Sequence, residues 1–251
     1  MTATIFAAGT GRILRQLRAD RRTVALILLV PSLLMVLLYF LYQNSPTAPG
    51  TPPLFDRIAV TMLGILPFVV MFLITSIAMQ RERSSGTLER LLTTPMSKFD
   101  LLSSYATAFS VAAVGQAVIA CGVTFGLLGL TTAGSIGWVV LVAVLNAVLG
   151  VALGLLCSAF ARTEFQAVQF MPVVVVPQLF LCGLLVPREL MPDWLHAISN
   201  VLPLSYSVDA LQYISSQPGF GAQLGLDVGV VAGFVVVALI AAAATLRRRT
   251  P

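Results

Sequence analysis

The chain carries no charged residue between Asp100 and Arg162. A helix rises about 1.5 Å per residue, so this stretch would be about 90 Å long as one helix. The hydrocarbon core of a bilayer is only ~30 Å thick, and the stretch must therefore cross, turn and cross back. Small and polar residues at 131–135 supply the turn. The pattern predicts a polytopic membrane protein.

The composition agrees with this prediction. The 251 residues are 58% hydrophobic and 10% charged, whereas about a quarter of the residues in a soluble domain are charged. The length suits a single transmembrane domain over residues 1–251, with no room for a soluble catalytic domain. The net charge of +5 does not indicate nucleic-acid binding, because the basic residues flank apolar spans, where they set membrane orientation.

Six apolar spans are readable with a window of about 20 residues, which predicts an all-α fold. We place them at Thr23–Tyr42, Ile58–Met79, Ser104–Leu130, Ile136–Phe160, Phe165–Val186 and Leu224–Leu246. We expect a kink or tilt at Pro31 and a break of the fifth span at Pro172 and Pro177, since proline removes a helical hydrogen bond.

The basic residues predict the orientation of the spans. An even number of spans puts both termini on one side, and 13 of the 15 basic residues then fall on that side. Only Arg57 and Arg188 fall on the other side. By the positive-inside rule, both termini are expected in the cytoplasm.

Residues 5–22 form an amphipathic pattern before the first span. Ile13, Leu14 and Leu17 fall on one side of a helix, and arginines fall on the other. We expect a helix lying in the inner headgroup layer. A disordered basic flank is the alternative.

Residues 81–98 between the second and third spans are too long for a minimal turn. The leucines at 88, 91 and 92 share a helical face opposite Glu89 and Arg90, which predicts a short amphipathic helix ending at Pro95. Ser97 and Asp100 are spaced as a capping box that starts the third span. The segment is either a docking surface for a soluble partner or a solvated connector.

The segment 187–221 is apolar but contains too many polar residues to cross the membrane. Two short helices that dip into the outer leaflet and return, with a break at Pro203, would fit this pattern. Trp194 and Tyr206 suit the membrane interface. We expect the loop over 43–56, which has four prolines, to be irregular.

No span centre carries an ionisable residue, which argues against a proton-coupled carrier. Asp227 lies near the outer end of the sixth span, where we expect it at the interface. The uncharged polar residues that remain, above all Gln116, Asn146 and Gln178, either join helices or line a pathway. Glycine pairs such as Gly150 with Gly154 permit close helix packing, which we expect mostly within one chain.

Two stretches resemble those of a known family. Residues 81–96, Arg-Glu-Arg-Ser-Ser-Gly-Thr-Leu-Glu-Arg-Leu-Leu-Thr-Thr-Pro-Met, resemble the cytoplasmic coupling segment of ABC-2 type transporter permeases. Residues 199–211, Ser-Asn-Val-Leu-Pro-Leu-Ser-Tyr-Ser-Val-Asp-Ala-Leu, resemble the outer re-entrant motif of that family. The family often has an arginine after this motif, and Gln212 stands there in this chain. The resemblance covers essentially the whole chain and is nearest to the drug- and lipid-export branch, similar to daunorubicin-resistance permeases.

The resemblance implies roles for particular residues. ATPase coupling falls on Arg81, Glu82, Arg83, Gly86, Thr87, Leu88, Glu89, Arg90 and Leu91. The outer motif falls on Asn200, Pro203, Tyr206 and Asp209.

The resemblance also implies partners. It describes a permease of the bacterial inner membrane that pairs with a second copy or a paralogue, with two nucleotide-binding ATPase subunits and with membrane lipids. The expected cargo is hydrophobic or amphipathic: a drug, a lipid or a glycoconjugate. An ATP-independent channel or facilitator and a non-transporting scaffold for an ATPase are the alternatives.

The motifs that this sequence lacks agree with a subunit that is not itself an enzyme. It has no phosphate-binding loop, its only lysine is Lys98, and it lacks the His-Glu-x-x-His and Gly-x-Ser-x-Gly patterns. His196 is the only histidine, and no metal-ligand spacing is present. We therefore expect no catalytic residue, metal or cofactor in this chain, with ATP and Mg²⁺ bound by the partner.

Overall fold

The structure is a computed structural model that describes residues 3–46, 51–85 and 97–245. Within these ranges the regular elements are all helical. They are α1 (Ala3–Ala19), α2 (Arg21–Tyr42), α3 (Leu54–Ser84), α4 (Lys98–Gly126), α5 (Ile136–Ser158), α6 (Glu164–Leu181), a 3₁₀ turn (Arg188–Leu190), α7 (Asp193–Ser199), α8 (Pro203–Ser216) and α9 (Ala222–Thr245).

Six of the helices are long and apolar enough to cross a membrane, namely α2, α3, α4, α5, α6 and α9. The predicted all-α fold with six spans is confirmed. We call the side where α2 begins and α9 ends the terminal face, and the opposite side the loop face. Exposed aliphatic and aromatic side chains, such as Leu37, Phe40 and Val237, lie on the outside of these helices, where lipid would cover them.

The helices α3 and α5 form the centre of the bundle. In each, 61% of the most apolar window is buried, against 17% in α6. Three clusters of buried side chains run from the terminal face to the loop face along this pair. Representative members are Tyr105 and Leu155 in the first, Phe68 and Leu149 in the second, and Leu63 in the third.

Glycine lets α3 and α5 approach closely. A Cβ at Gly150 or Gly154 would collide with the backbone of α3 at Phe68 or Phe72. These two glycines therefore pack within the chain, as expected. Gly122 and Gly126, by contrast, have no atom within 4 Å of an added Cβ among the described residues.

The N-terminal amphipathic pattern is helical, with different bounds from those expected. α1 ends at Ala19, and Asp20 caps α2 by accepting a hydrogen bond from the backbone N–H of Thr23 at 3.2 Å. Hydrogen bonding from Thr23 lowers the pKa of Asp20. Arg21 and Arg22 therefore belong to the first span. The apolar face of α1, including Ile13, packs on the bundle, and its place in the headgroup layer stays a prediction.

The second and fifth spans differ most from expectation. α3 has 31 residues and is therefore about 46 Å long, which exceeds the ~30 Å hydrocarbon core. Its first turn begins at Leu54, inside the loop that was expected to be irregular. The expected break in the fifth span was wrong, because α6 continues through Pro172 and Pro177 and ends at Leu181. Gly183, at φ +90°, then turns the chain.

Candidate functional site

The end of α3 at the terminal face leads into the predicted coupling segment. Residues 86–96 lie outside the described residues, and with them the predicted coupling positions Gly86, Thr87, Leu88, Glu89, Arg90 and Leu91. Arg81, Glu82 and Arg83 are described. Their side chains have different surroundings: Glu82 bonds to α1 and α4, Arg81 pairs with Glu164, and Arg83 is partly buried.

Glu82 faces the interior of the bundle. Its side chain is 9% exposed, and it accepts a hydrogen bond from Arg12 of α1 at 3.2 Å and another from the hydroxyl of Tyr105 on α4. The same Arg12 guanidinium lies 3.1 Å from the Tyr105 hydroxyl. One carboxylate thus joins three helices at the base of the coupling segment.

Arg81 faces the surface instead. Its guanidinium donates two hydrogen bonds to the carboxylate of Glu164, at 3.1 and 3.2 Å, in a bidentate pair. The pair joins the end of α3 to the start of α6, and both side chains are largely exposed. Arg83 is partly buried, with Nε and Nη2 lacking a partner among the described residues.

The start of α4 matches the predicted capping box. The Ser97 hydroxyl accepts a hydrogen bond from the Asp100 backbone N–H at 3.0 Å, and the Asp100 carboxylate accepts one from the Ser97 N–H at 3.2 Å. This reciprocal cap fixes where the segment after α3 re-enters the bundle.

The predicted outer motif converges on one residue that the sequence argument had treated only as a charge. Arg188 is 8% exposed and donates hydrogen bonds to the carboxylate of Asp209 and to the side-chain oxygen of Asn200. Its guanidinium lies 5.6 Å from the ring centroid of Tyr206. Burial raises the pKa of Asp209, and the charge of Arg188 opposes that shift.

Pro203 is the first residue of α8 and breaks the chain between the two short helices. α8 presents a buried apolar face, including Leu204 and Leu211, to the bundle. α7 is more exposed, with Trp194 at 65%. The depth of these helices in a leaflet stays a prediction.

The three amides predicted as possible pathway residues are buried within the single chain. Asn146 accepts a hydrogen bond from the Ser207 hydroxyl, which ties α5 to α8. Gln178 donates to the carbonyl of Val174 at 3.0 Å within α6. Gln116 is fully buried, and neither amide atom has a partner among the described residues. Their place on a pathway stays a prediction.

Asp227, which was expected at the membrane interface, is buried inside the chain, and its depth in the membrane stays a prediction. It is 0% exposed and accepts a hydrogen bond from Gln223 at 3.1 Å. Its position in the second turn of α9 keeps it near the loop face. The span centres of the described chain therefore hold uncharged polar groups.

This architecture is that of a multi-pass helical membrane protein with clusters of polar side-chain contacts at its two faces. A profile of the ABC-2 type transporter family matches residues 4–215, which is most of the chain. The chain belongs to the ABC-2 type transporter family.

Known relatives support the assignment. The chain is 27% identical over 154 residues to the "Probable multidrug ABC transporter permease YbhR" of Escherichia coli, covering 61% of this chain and 42% of the relative. It is 28% identical over 173 residues to "Nodulation protein J" of Rhizobium meliloti, covering 67% of this chain and 64% of the relative. The match to YbhR thus spans less than half of that relative's length.

Proposed function

We propose that the chain is the membrane-spanning permease subunit of an ATP-driven exporter. The family match over residues 4–215, which includes the segment 81–98, carries the proposal. The first relative is named a probable multidrug ABC transporter permease. The sequence has no phosphate-binding loop, so ATP and Mg²⁺ would be bound by separate ATPase subunits.

The proposed orientation puts the terminal face in the cytoplasm. This follows from the basic residues, 13 of which would lie on that side and 2 on the other. The segment 81–98 would then meet a cytoplasmic ATPase, and residues 187–221 would lie outside. A reporter fused at Ser216 should give an extracytoplasmic signal. A cytoplasmic signal at that position would overturn the orientation.

The arrangement of α3 supports a coupling role for the segment that follows it. This helix is the most buried in the bundle together with α5, and its last turn is anchored to α1, α4 and α6 through Glu82 and Arg81. Movement imposed on residues 86–96 would therefore reach several helices. Two copies of the chain, or one copy and a paralogue, would enclose the path for a hydrophobic or amphipathic cargo.

The test is ATP-dependent transport by a reconstituted complex. The chain would be co-expressed with a candidate ABC-type ATPase subunit, purified through a tag on the permease and placed in vesicles. We expect co-purification of the ATPase, no specific ATP hydrolysis by the permease alone, and export that stops when the catalytic glutamate of the ATPase is replaced. Cargo movement that is equal without ATP would favour a facilitator, and ATPase recruitment with no movement of any amphipathic cargo would favour a scaffold.

A further inference from the structure

A cavity of about 380 Å³ lies at the terminal face between α1, α2, α3 and α4. Its volume falls within the ~300–1,000 Å³ range of small-molecule sites. It lies at the opposite face from the cluster around Arg188. Arg81 and Glu82, which anchor the last turn of α3, form part of its lining, and no role has been given above to the cavity itself.

The walls of the cavity change from polar to apolar in the same direction on three helices. On α3, Arg81 and Glu82 lie at the terminal face, and Ile77 and Leu73 lie further in. On α2, Leu26 lies further in than the capping residue Asp20. On α4, Phe109 lies further in than Tyr105. A ligand that fits this gradient has a polar head at the face and an apolar tail towards the middle of the membrane.

The depth of the cavity matches one leaflet. Leu73 and Glu82 both line it and are nine residues apart on α3, which corresponds to about 13 Å along the helix axis. Half of the ~30 Å hydrocarbon core is about 15 Å. An extended acyl chain whose head lies at the terminal face would therefore reach the inner end of the cavity.

Three apolar side chains of the lining lie outside the core clusters or are largely exposed. Leu73 and Ile77 are half-buried, yet within the described residues they belong to none of the three core clusters. Leu26, on the facing wall, is 54% exposed. An apolar wall of this kind gains about 25 cal/mol per Å² when a hydrocarbon chain covers it.

The charges at the mouth suit a phosphate. Arg21 and Arg22 follow Asp20 in the chain and are exposed, whereas Arg81, which lines the mouth, is paired through Nε and Nη2 with Glu164. The carboxylates there are already engaged: Glu82 accepts from Arg12 and Tyr105, and Asp20 accepts from Thr23. A cluster of arginines beside a membrane span attracts the phosphates of lipid head groups.

We propose that this cavity binds one phospholipid of the leaflet at the terminal face, with an acyl chain between α2 and α3 and its phosphate near Arg21 and Arg22. The lipid fills a gap between α1 and the bundle. The site is independent of whether the chain exports cargo.

The proposal is tested by native mass spectrometry of the complex purified from membranes in a mild detergent. We expect a phospholipid adduct on the wild-type chain that survives detergent removal. Ile77→Trp, which fills the cavity, should lower the bound fraction about tenfold, the change produced by losing the burial of a few methylene groups. Leu33→Trp is the matched control, because Leu33 lies on the lipid-facing side of α2 at 61% exposure and does not line the cavity.

A second measurement uses the wild-type protein, so that the test does not depend on the folding of a variant. The complex is placed in vesicles of phosphatidylethanolamine and phosphatidylglycerol that contain a phospholipid with a diazirine in its acyl chain. Crosslinks should concentrate on residues 73–78 relative to the exposed face of α9 at Val236 and Val237. No adduct on the wild type, an adduct whose mass is not that of a phospholipid, equal adducts in both variants, or uniform crosslinking would each overturn the proposal.

Discussion

Gly154 of α5 lies against the backbone of Phe72 in α3, and a Cβ added to the glycine would be 2.6 Å from the Phe72 carbonyl oxygen. The contact is to backbone, which cannot move aside as a flexible side chain could. The two central helices therefore owe their spacing to the absence of a side chain at this position and at Gly150.

The first prediction follows from this contact. Gly154→Ala should destabilise the protein by about 1–3 kcal/mol, because overpacking forces the backbones of α3 and α5 apart. The control is Gly122→Ala in α4, where a Cβ meets nothing within 4 Å among the described residues. That change should be neutral or stabilising by up to ~1 kcal/mol, since alanine favours a helix interior. Thermal unfolding in detergent measures both, and equal midpoints would contradict the prediction.

The second prediction compares a buried ion pair with an exposed one. Glu82→Ala leaves the Tyr105 hydroxyl and the Arg12 guanidinium without their carboxylate acceptor, which should cost about 1–3 kcal/mol. Glu164→Ala breaks the exposed pair with Arg81 and should cost ~0–1 kcal/mol. Detergent melting curves of the two variants are the measurement. A larger loss in Glu164→Ala would show that Glu82 does not hold the three helices together.

The third prediction concerns the outer segment. Arg188→Ala removes the group that joins Asn200 and Asp209, so the stretch between Gly183 and α8 should become more open to protease. The neighbouring Glu189→Ala is the control, because Glu189 is exposed. Limited proteolysis from the loop face, followed by mass mapping, should show faster cleavage near 187–200 only in the arginine variant. Identical cleavage patterns would argue against Arg188 as the anchor.

The fourth prediction uses the cap of α2 and its dependence on pH. Asp20→Ala should cost about 0.5–2 kcal/mol at neutral pH, as for other lost N-caps. Because the folded state lowers the pKa of Asp20 below its ordinary value of 3.8, its stabilisation is present above that pH and is lost as the pH falls through the folded-state pKa. The difference between wild type and Asp20→Ala should shrink on acidification. The difference in stability between Asp20→Asn and Asp20→Ala should instead stay constant with pH, because asparagine caps a helix without titrating.

The fifth prediction concerns coupling and residues outside the described ranges. If residues 86–92 only connect two spans, Glu89→Ala with Arg90→Ala costs little, since exposed ion pairs contribute ~0–1 kcal/mol. If they meet an ATPase, the same double change should leave membrane insertion intact while reducing co-purification of the ATPase or its cargo-stimulated turnover. Unaltered association, turnover and export would identify the segment as a connector.

The sequence predicted those parts of the fold that depend on local chemistry. Apolar spans are legible because lipid requires about 20 consecutive apolar residues, and the Ser97–Asp100 cap is legible from its spacing alone. The continuous path of α6 could not be predicted from the sequence. Neighbouring helices can compensate for the hydrogen bonds that Pro172 and Pro177 remove, and that compensation depends on tertiary packing.

The outer cluster around Arg188 was predicted only in part, because its contacts also depend on tertiary packing. Asn200, Tyr206 and Asp209 were singled out from the motif, but Arg188, to which all three turn, was counted only as one of two basic residues on its side. An isolated basic residue on the side disfavoured for positive charge was the available signal. The burial of Asp227 depends on how α9 packs against the other helices, so the residues next to it in the sequence do not predict it.

Because Glu82 points inward, the residues that a partner contacts are different from the residue that links the movement of the helices. A partner that docks on the segment after Ser85 has no direct access to this carboxylate, since its side chain is 9% exposed. A shift of the last turn of α3 must nevertheless either move Arg12 on α1 and Tyr105 on α4 with it or break the hydrogen bonds of Glu82 to both. The ends of α1, α3 and α4 at this face are thus mechanically linked through one carboxylate, and that carboxylate is buried away from any partner that acts on α3.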